Sequence, residues 1–301
     1  MMSNGRNLPN LIIAGVHKAG TTSLYTYLAK HPEICPSFKK EIGFFVPLMF
    51  DRDTPPIEEY ASYFRHCENQ QFRLDASPSY FYGKDKIASA INKELPDAKV
   101  VLLLRDPTDR LISFFSRAIS KSTLPADISF KDYLTMSEEK MGGSEYNVYA
   151  RGIREGLYID YIQPWQSVFG SNLKVVFFDD LKESALDLTS SICRWLDLDA
   201  SCFEPQDFTI ENRTMQYRHR TLHRYVKDAY MRNEAFWRKN HWLKQRFRGV
   251  YNKFNADKDQ RLRTIDDESV ARLRALYSPY NKKLKSFLES NNYASLPDWL
   301  G

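Results

Sequence analysis

The run Lys99–Arg105 (KVVLLLR) constrains the fold more than any other stretch of the chain. Val100 to Leu104 are all aliphatic, with no polar alternation. Such a run suits a strand covered on both faces, and strands of that kind belong to parallel sheets sandwiched between helices. The rest of the chain repeats the theme. Leu11–Gly15, Phe72–Ala76 and Lys174–Phe178 read as further strands. Thr22–Lys30 reads as a helix stopped before Pro32, Lys84–Leu95 as a helix closed by Pro96, and Pro107 opens another at the first-turn position that tolerates proline. Helical spacing of apolar residues marks Leu157–Phe169, then Ala185 to Leu196, and finally Val270 to Leu288. Alternation of this kind predicts an α/β fold with a central parallel sheet flanked by helices. The expected organisation is one domain over 1–301, with a core at about 8–212 and an appended helical lobe at about 213–301. Ligands of such sheets sit outside the carboxyl ends of the strands, so the loops after Gly15, Ala76 and Arg105 are the candidates.

Composition removes several function classes. At 43% hydrophobic and 27% charged, the 301 residues are those of an ordinary folded protein. Leu11–Val16 is too short for a signal-peptide core or a membrane span, which predicts a cytoplasmic protein without a transmembrane segment. Cys35, Cys67, Cys193 and Cys202 show no CxxC spacing and are expected as free thiols, with a Cys193–Cys202 bridge as the alternative. His219 and His223 are four apart but lack the Glu of HExxH and a third ligand, so no metal is expected. The net charge of +5 is uneven: Arg213–Arg248 carries a local balance of +9 interleaved with aromatics. That composition suits nucleic acid, acidic lipid or a polyanion. Its apolar residues Leu222, Tyr225, Val226, Ala229 and Tyr230 follow helical spacing, which favours a solvated helix face and no nucleic-acid partner.

The chemistry concentrates in two places. Gly15–Ser23 (GVHKAGTTS) lies between the first strand and the first helix and keeps the G-x-x-x-x-G spacing of a nucleotide phosphate loop. Glycine lets the backbone curl so that successive N–H groups face phosphate oxygens, and the helix N-terminus adds unpaired donors. Alone, two glycines are also a turn and a helix start; the preceding strand and the hydroxyls of Thr21, Thr22 and Ser23 favour an anion site. In an NTPase loop a lysine follows the second glycine and reaches the terminal phosphates. Here Thr21 takes that place and the lysine is Lys18, which suits an anion shorter than a triphosphate. The second place is Lys99–Ser113, where a buried strand delivers Arg105 to the sheet edge and the next helix adds Ser113. Arginine makes planar, bidentate contacts to phosphate, although pairing with Asp106 or Asp109 is an equal structural reading.

Strand-GxxKxGTTS-helix, then KE-I-x-FF, SPSYF and strand-RDPxxR-x4-S resemble the 3′-phosphoadenosine-5′-phosphosulfate (PAPS)-dependent sulfotransferases. The pattern is similar above all to the heparan sulfate and carbohydrate sulfotransferases and their bacterial relatives. The resemblance continues through Glu155–Tyr158, Trp165, Val175–Leu181 and Tyr277–Asn281. It implies that Lys18, Ala19, Gly20, Thr21, Thr22 and Ser23 bind the 5′-phosphosulfate and that Arg105 and Ser113 bind the 3′-phosphate. It implies Glu41 as catalytic base, Lys18 as the cation facing the leaving oxygen, and no metal. His17 and Asp75 are reserve bases, and Asp75–Phe81 falls beside the donor and acceptor sites. Two positions depart from the carbohydrate enzymes: Ala76 stands where several carry lysine, and Gly43 where some carry histidine. The acceptor is therefore left as a glycan, glycolipid or small natural product offering a hydroxyl or amine, with Phe44, Phe45, Tyr80 and Phe81 either lining its cleft or lying in the core. Two rival readings stand. A P-loop kinase or NTPase would use Asp179, after the apolar Val175–Phe178, to hold magnesium; a non-catalytic binding protein would use the basic 213–248 segment on nucleic acid or membrane.

Overall fold

A computed structural model describes residues 7–143, 147–208 and 265–301, together with the backbone of 216–217 and 256–257. Five parallel strands form the central sheet: β1 (Leu11–Gly15), β2 (Ile34–Pro36), β3 (Phe72–Ala76), β4 (Lys99–Leu104) and β5 (Leu173–Phe177), in the order β2-β3-β1-β4-β5. Leu11 pairs with Leu74 on one side and Lys99 on the other, so β1 is central. Val100 to Leu104 are all fully buried, as their unbroken apolar run requires. Each such side chain contributes roughly 1.5–3 kcal/mol of burial free energy.

The helices cover both faces. α1 (Thr21–Leu28) follows β1; α2 (Ile57–Ser62) lies between β2 and β3; α3 (Lys84–Glu94) leads into β4. α4 (Pro107–Ser120) leaves β4, capped by Asp106, whose carboxylate accepts from the Thr108 amide at 2.7 Å. α5 (Phe130–Glu139), α6 (Val148–Arg154) and α7 (Ile159–Phe169) precede β5, and α8 (Phe178–Glu183) and α9 (Ala185–Trp195) follow it. α10 (Asp267–Ser290) packs across α4, α5 and α7. Leu273 and Tyr277 join a cluster with Leu111, Phe115 and Phe130, and Leu284 and Leu288 reach the main core. β6 (Gln216–Tyr217) and β7 (Ala256–Asp257) form a short antiparallel pair. Among the described residues no helix is long and apolar enough to cross a membrane. The basic segment 213–248, with His219 and His223, lies outside the described residues apart from the backbone of 216–217.

The chain leaves β1 toward β2 and β3 but leaves β4 toward β5. The carboxyl ends of β1 and β4 therefore flank the switch point where open α/β sheets bind ligands. Three-residue β2 was missed in the sequence because Ile-Cys-Pro has neither length nor periodicity. β5 begins and ends one residue earlier than its apolar run predicts, because Phe178 already starts α8. The cysteine expectation is corrected outright. Cys35, in β2, and Cys67, beyond α2, form a disulfide with their Cα atoms 5.8 Å apart, while Cys193 and Cys202 stay free. The partners are 32 residues apart, too far for any local sequence signal to pair them. Free thiols therefore no longer argue for a reducing compartment.

Candidate active site

The loop after β1 is tied to the neighbouring strand: the Val16 amide donates to Leu103 O at 3.0 Å. Lys18 (φ 69°) and Gly20 (φ 91°) both adopt the left-handed conformation. Gly20 is the N-cap of α1 and has no side chain to cap it, at the end of a helix whose first-turn amides have no intrahelical acceptor. A Cβ on Gly20 would lie 2.9 Å from Phe178 Cδ2 and 3.0 Å from Leu181 Cδ2. Conformation and contact together require glycine. Gly20→Ala is expected to lower the urea-unfolding free energy by about 1–3 kcal/mol and to weaken anion binding, both measurable on the same sample. Ala19 is fully buried and Thr21 nearly so, whereas Thr22 and Ser23 are half-buried.

Cations converge on this loop. Arg105 Nη1 donates to Lys18 O at 3.2 Å, and its guanidinium stacks 4.5 Å over the Phe178 ring. Asp109 is only a marginal partner at 3.5 Å, and Asp106 is occupied as a helix cap. Arg105 Nε is buried with no hydrogen-bond partner among the described residues. Such an orphaned donor is costly unless a ligand meets it. Burial, followed by the positive charges of Arg117, Arg105 and Lys121, pushes the Lys18 ammonium down to about 8, and Glu41 opposes the shift. Asp109, Ser113 and Arg117 are spaced by one helical turn along α4, so Ser113 and Arg117 continue the side of α4 that Asp109 presents to Arg105.

Glu41 sits beyond β2 on a turn where it and Gly43 take φ 60° and φ 69°. Its carboxylate is 65% exposed and pairs with Lys40 at 3.1 Å. Burial works against ionisation there, but Lys40, His17 and Lys121 outweigh it and hold the carboxyl below its usual range. His17 leads instead into a cleft of about 120 Å3 lined by Val46, Met49, Phe50, Ser79, Tyr82, Arg151, Arg154, Glu155 and Tyr161. His17 Nδ1 lies 3.2 Å from Glu155 Oε2, and Nε2 lies 3.1 Å from Ser79 Oγ. Arg151 binds the other Glu155 oxygen at 2.7 Å, and buried Arg110 stands 3.5 Å away. Burial disfavours the Glu155 charge, yet His17, Arg151 and Arg110 bring its carboxyl down to about 2. Glu155 thus stays ionised and fixes the His17 ring against the donor-side loop.

A family profile described as a sulfotransferase domain matches residues 8–288. The chain belongs to the sulfotransferase family. It is 26% identical over 219 residues to a bifunctional heparan sulfate N-deacetylase/N-sulfotransferase 1 from Caenorhabditis briggsae, covering 68% of this chain and 24% of that protein. It is 30% identical over 166 residues to the heparan sulfate glucosamine 3-O-sulfotransferase 3B1 of Mus musculus, covering 54% and 39%. This sulfotransferase therefore spans well under half the length of these curated relatives. The crystal structure of a sulfotransferase from Alicyclobacillus acidocaldarius superposes with a TM-score of 0.58 at 28% identity, covering 68% of this chain and 87% of that one.

Within this sulfotransferase the fold gathers Lys18, Gly20 and Arg105 at the switch point, with Ser113 farther along α4 and Glu41 across the loop. One expectation changes and one open alternative is decided. Asp75 is fully buried and cannot reach a substrate, so it is no reserve base. Phe44, Phe45, Tyr80 and Phe81 are core residues, with Phe44 stacked on Tyr60 at 4.4 Å; the cleft uses Phe50, Tyr82 and Tyr161 instead. Asp179 accepts from the Trp299 indole at 3.1 Å, a structural use of the residue that the kinase reading reserves for magnesium. Sequence reasoning missed Arg117 and the Arg110–Glu155–Arg151 network. The four-residue spacing from Asp109 to Arg117 was an available signal for the first; the second depends on α4 and α6 meeting.

Proposed function

We propose that the chain transfers the sulfonate group of PAPS to a hydroxyl or amine of an acceptor. The observation that carries this is the set of cations around a helix N-terminus without a side-chain cap: Lys18 inside the loop, Arg105 with a buried Nε that has no partner among the described residues, and Arg117, whose charge reaches Lys18. A lysine within the loop, with Thr21 after Gly20, suits a phosphosulfate better than a triphosphate. In this reading Lys18 to Ser23 hold the 5′-phosphosulfate, and Arg105 and Ser113 hold the 3′-phosphate. PAPS supplies the activated sulfonate. Glu41 takes the proton of the attacking group as its oxygen or nitrogen bonds to sulfur. Lys18 meets the negative charge left on the 5′-phosphate oxygen as its bond to sulfur breaks. The acceptor occupies the cleft beside His17, where Tyr82, Tyr161 and Phe50 offer an apolar face and His17, Ser79 and Arg151 a polar edge. That division suits a carbohydrate ring, in keeping with the heparan sulfate named for the relatives.

Calorimetric titration in EDTA tests the donor assignment. Adenosine 3′,5′-bisphosphate (PAP) is expected to bind in preference to ADP, and Arg105→Ala to weaken PAP about 10- to 100-fold with little effect on ADP. Equal or tighter ADP binding, or an Arg105→Ala variant that holds PAP normally, would overturn it. Turnover is read as PAP release from PAPS with a panel of alkyl glycosides, phenols and primary amines.

A further inference from the structure

The turn that carries Glu41 is held to the sheet by two bonds. The Glu41 amide donates to Ala76 O at 3.0 Å, and the Gly43 amide donates to Ser77 Oγ at 3.0 Å. Between them the backbone takes left-handed conformations at both Glu41 and Gly43, which an unrestrained glutamate rarely adopts. Ser77 can serve Gly43 only if its single proton points elsewhere. It does: Ser77 Oγ donates to Asp75, 3.0 Å from Oδ1 and 3.2 Å from Oδ2. Tyr60, on α2, donates to Asp75 Oδ2 at 2.9 Å. Asp75 is 0% exposed and Ser77 1%.

We propose that Asp75 is a positioning residue for Glu41: its buried carboxylate orients the Ser77 hydroxyl, which in turn fixes the turn presenting Glu41 to the substrate. The proposal rests on Glu41 being the base.

The groups facing Asp75 are few. They are Tyr60 from α2, Ser77 and Tyr80 from the loop after β3, Tyr25 from α1, and Lys40 from the turn itself. Among the described residues no cation forms an ion pair with it; Tyr60 and Ser77 donate hydroxyl protons to it, and Lys40 acts only at a distance. A buried carboxylate kept without an ion-pair partner is a stability cost that a purely structural site would avoid. Burial is the main influence on this carboxyl and raises it to about 6, with Tyr60, Ser77 and Tyr80 opposing. Ionised Asp75 accepts the Ser77 proton and leaves Ser77 Oγ free to accept from Gly43. A proton taken up on Oδ1 makes that oxygen a donor toward Ser77, whose own proton then turns away from it, and the Gly43 bond is weakened.

The sign of the pH effect separates this role from a structural one. The folded protein binds the Asp75 proton more tightly than the unfolded chain does, so the stability linked to this group rises as pH falls through about 6. Catalysis is expected to move the other way, with wild-type kcat falling over the same interval.

The test compares wild type, Asp75→Asn, Ser77→Ala, Ser77→Thr and Glu41→Gln. Hydrogen exchange of the peptide spanning residues 40–45 is expected to quicken about tenfold or more in Asp75→Asn and Ser77→Ala, and to return toward wild type in Ser77→Thr. With the best acceptor of the panel above, kcat is expected to fall about 10- to 100-fold in the first two, with PAP affinity unchanged. Asp75→Asn is expected to unfold at no lower urea concentration than wild type at pH 7.5 and to lose the acid limb of kcat. Unchanged exchange over residues 40–45 in Asp75→Asn and Ser77→Ala overturns the proposal whatever the kinetics show. Normal turnover in Asp75→Asn beside an inactive Glu41→Gln overturns the positioning role alone. Near-normal turnover in Glu41→Gln overturns the base assignment, and with it the catalytic meaning of the relay.

Discussion

Glu41→Gln is expected to lower kcat about 100- to 1,000-fold while leaving PAP affinity within about twofold, the pattern of a lost general base. The substitution keeps the side chain's size and its polar contact near Lys40 but removes the carboxylate assigned to take the proton. In the proposed reading the donor-side anion contacts come from Lys18 and Arg105, on other loops, so PAP affinity is expected to be spared. Lys40, His17 and Lys121 hold the Glu41 carboxyl below its ordinary range, so it remains ionised throughout neutral pH. Its own titration therefore adds no acid limb between pH 5 and 8, and any limb near 6 belongs to another group. Kinetics with the acceptor panel and PAP titration on the same variant measure both halves. A variant that loses PAP affinity in step with kcat would show that Glu41 shapes the donor site instead.

Lys18→Ala is expected to lower kcat by about 100- to 1,000-fold, as removal of a transition-state donor does, and to weaken PAP as well. Burial, and after it the positive charges of Arg117, Arg105 and Lys121, disfavours the charged form of Lys18, which is why its ammonium sits at about 8. Only the protonated form can meet an anion. In the free enzyme kcat/KM is therefore expected to fall as pH rises through about 8, a limb carried by Lys18. Lys18→Arg should move that limb beyond the accessible range, since guanidinium stays charged. If the limb persists near 8 in Lys18→Arg, another group carries it.

Cys35, Asp75 and the aromatic residues show where sequence reading reached its limit. Leu11–Gly15 was legible to the residue through its unbroken apolar run, and Phe72–Ala76, which carries Arg73 and Asp75, through the Ser77-Pro78 turn that ends it. The phosphate-type loop was legible for the same reason: glycine spacing, the lysine and the hydroxyls are neighbours in sequence. Phe44, Phe45, Tyr80 and Phe81 carried no such mark, because an aromatic residue at a loop suits a cleft and a core equally well. Asp75 looked accessible on a motif and proved sealed beneath Tyr60.

What the sequence determined by itself was therefore local: four of the five parallel strands, several of the helices, the glycine-bearing loop after β1 and the family to which they belong. What tertiary structure decided was long-range. The order β2-β3-β1-β4-β5 places Arg105 against Lys18, joins Cys35 to Cys67, sets Ser77 under the Glu41 turn and brings Glu155 to His17. Those pairs lie between 32 and 138 residues apart. Periodicity and propensity act over one or two turns of chain, so no local signal could have paired them; only strand order and helix packing set which distant side chains meet.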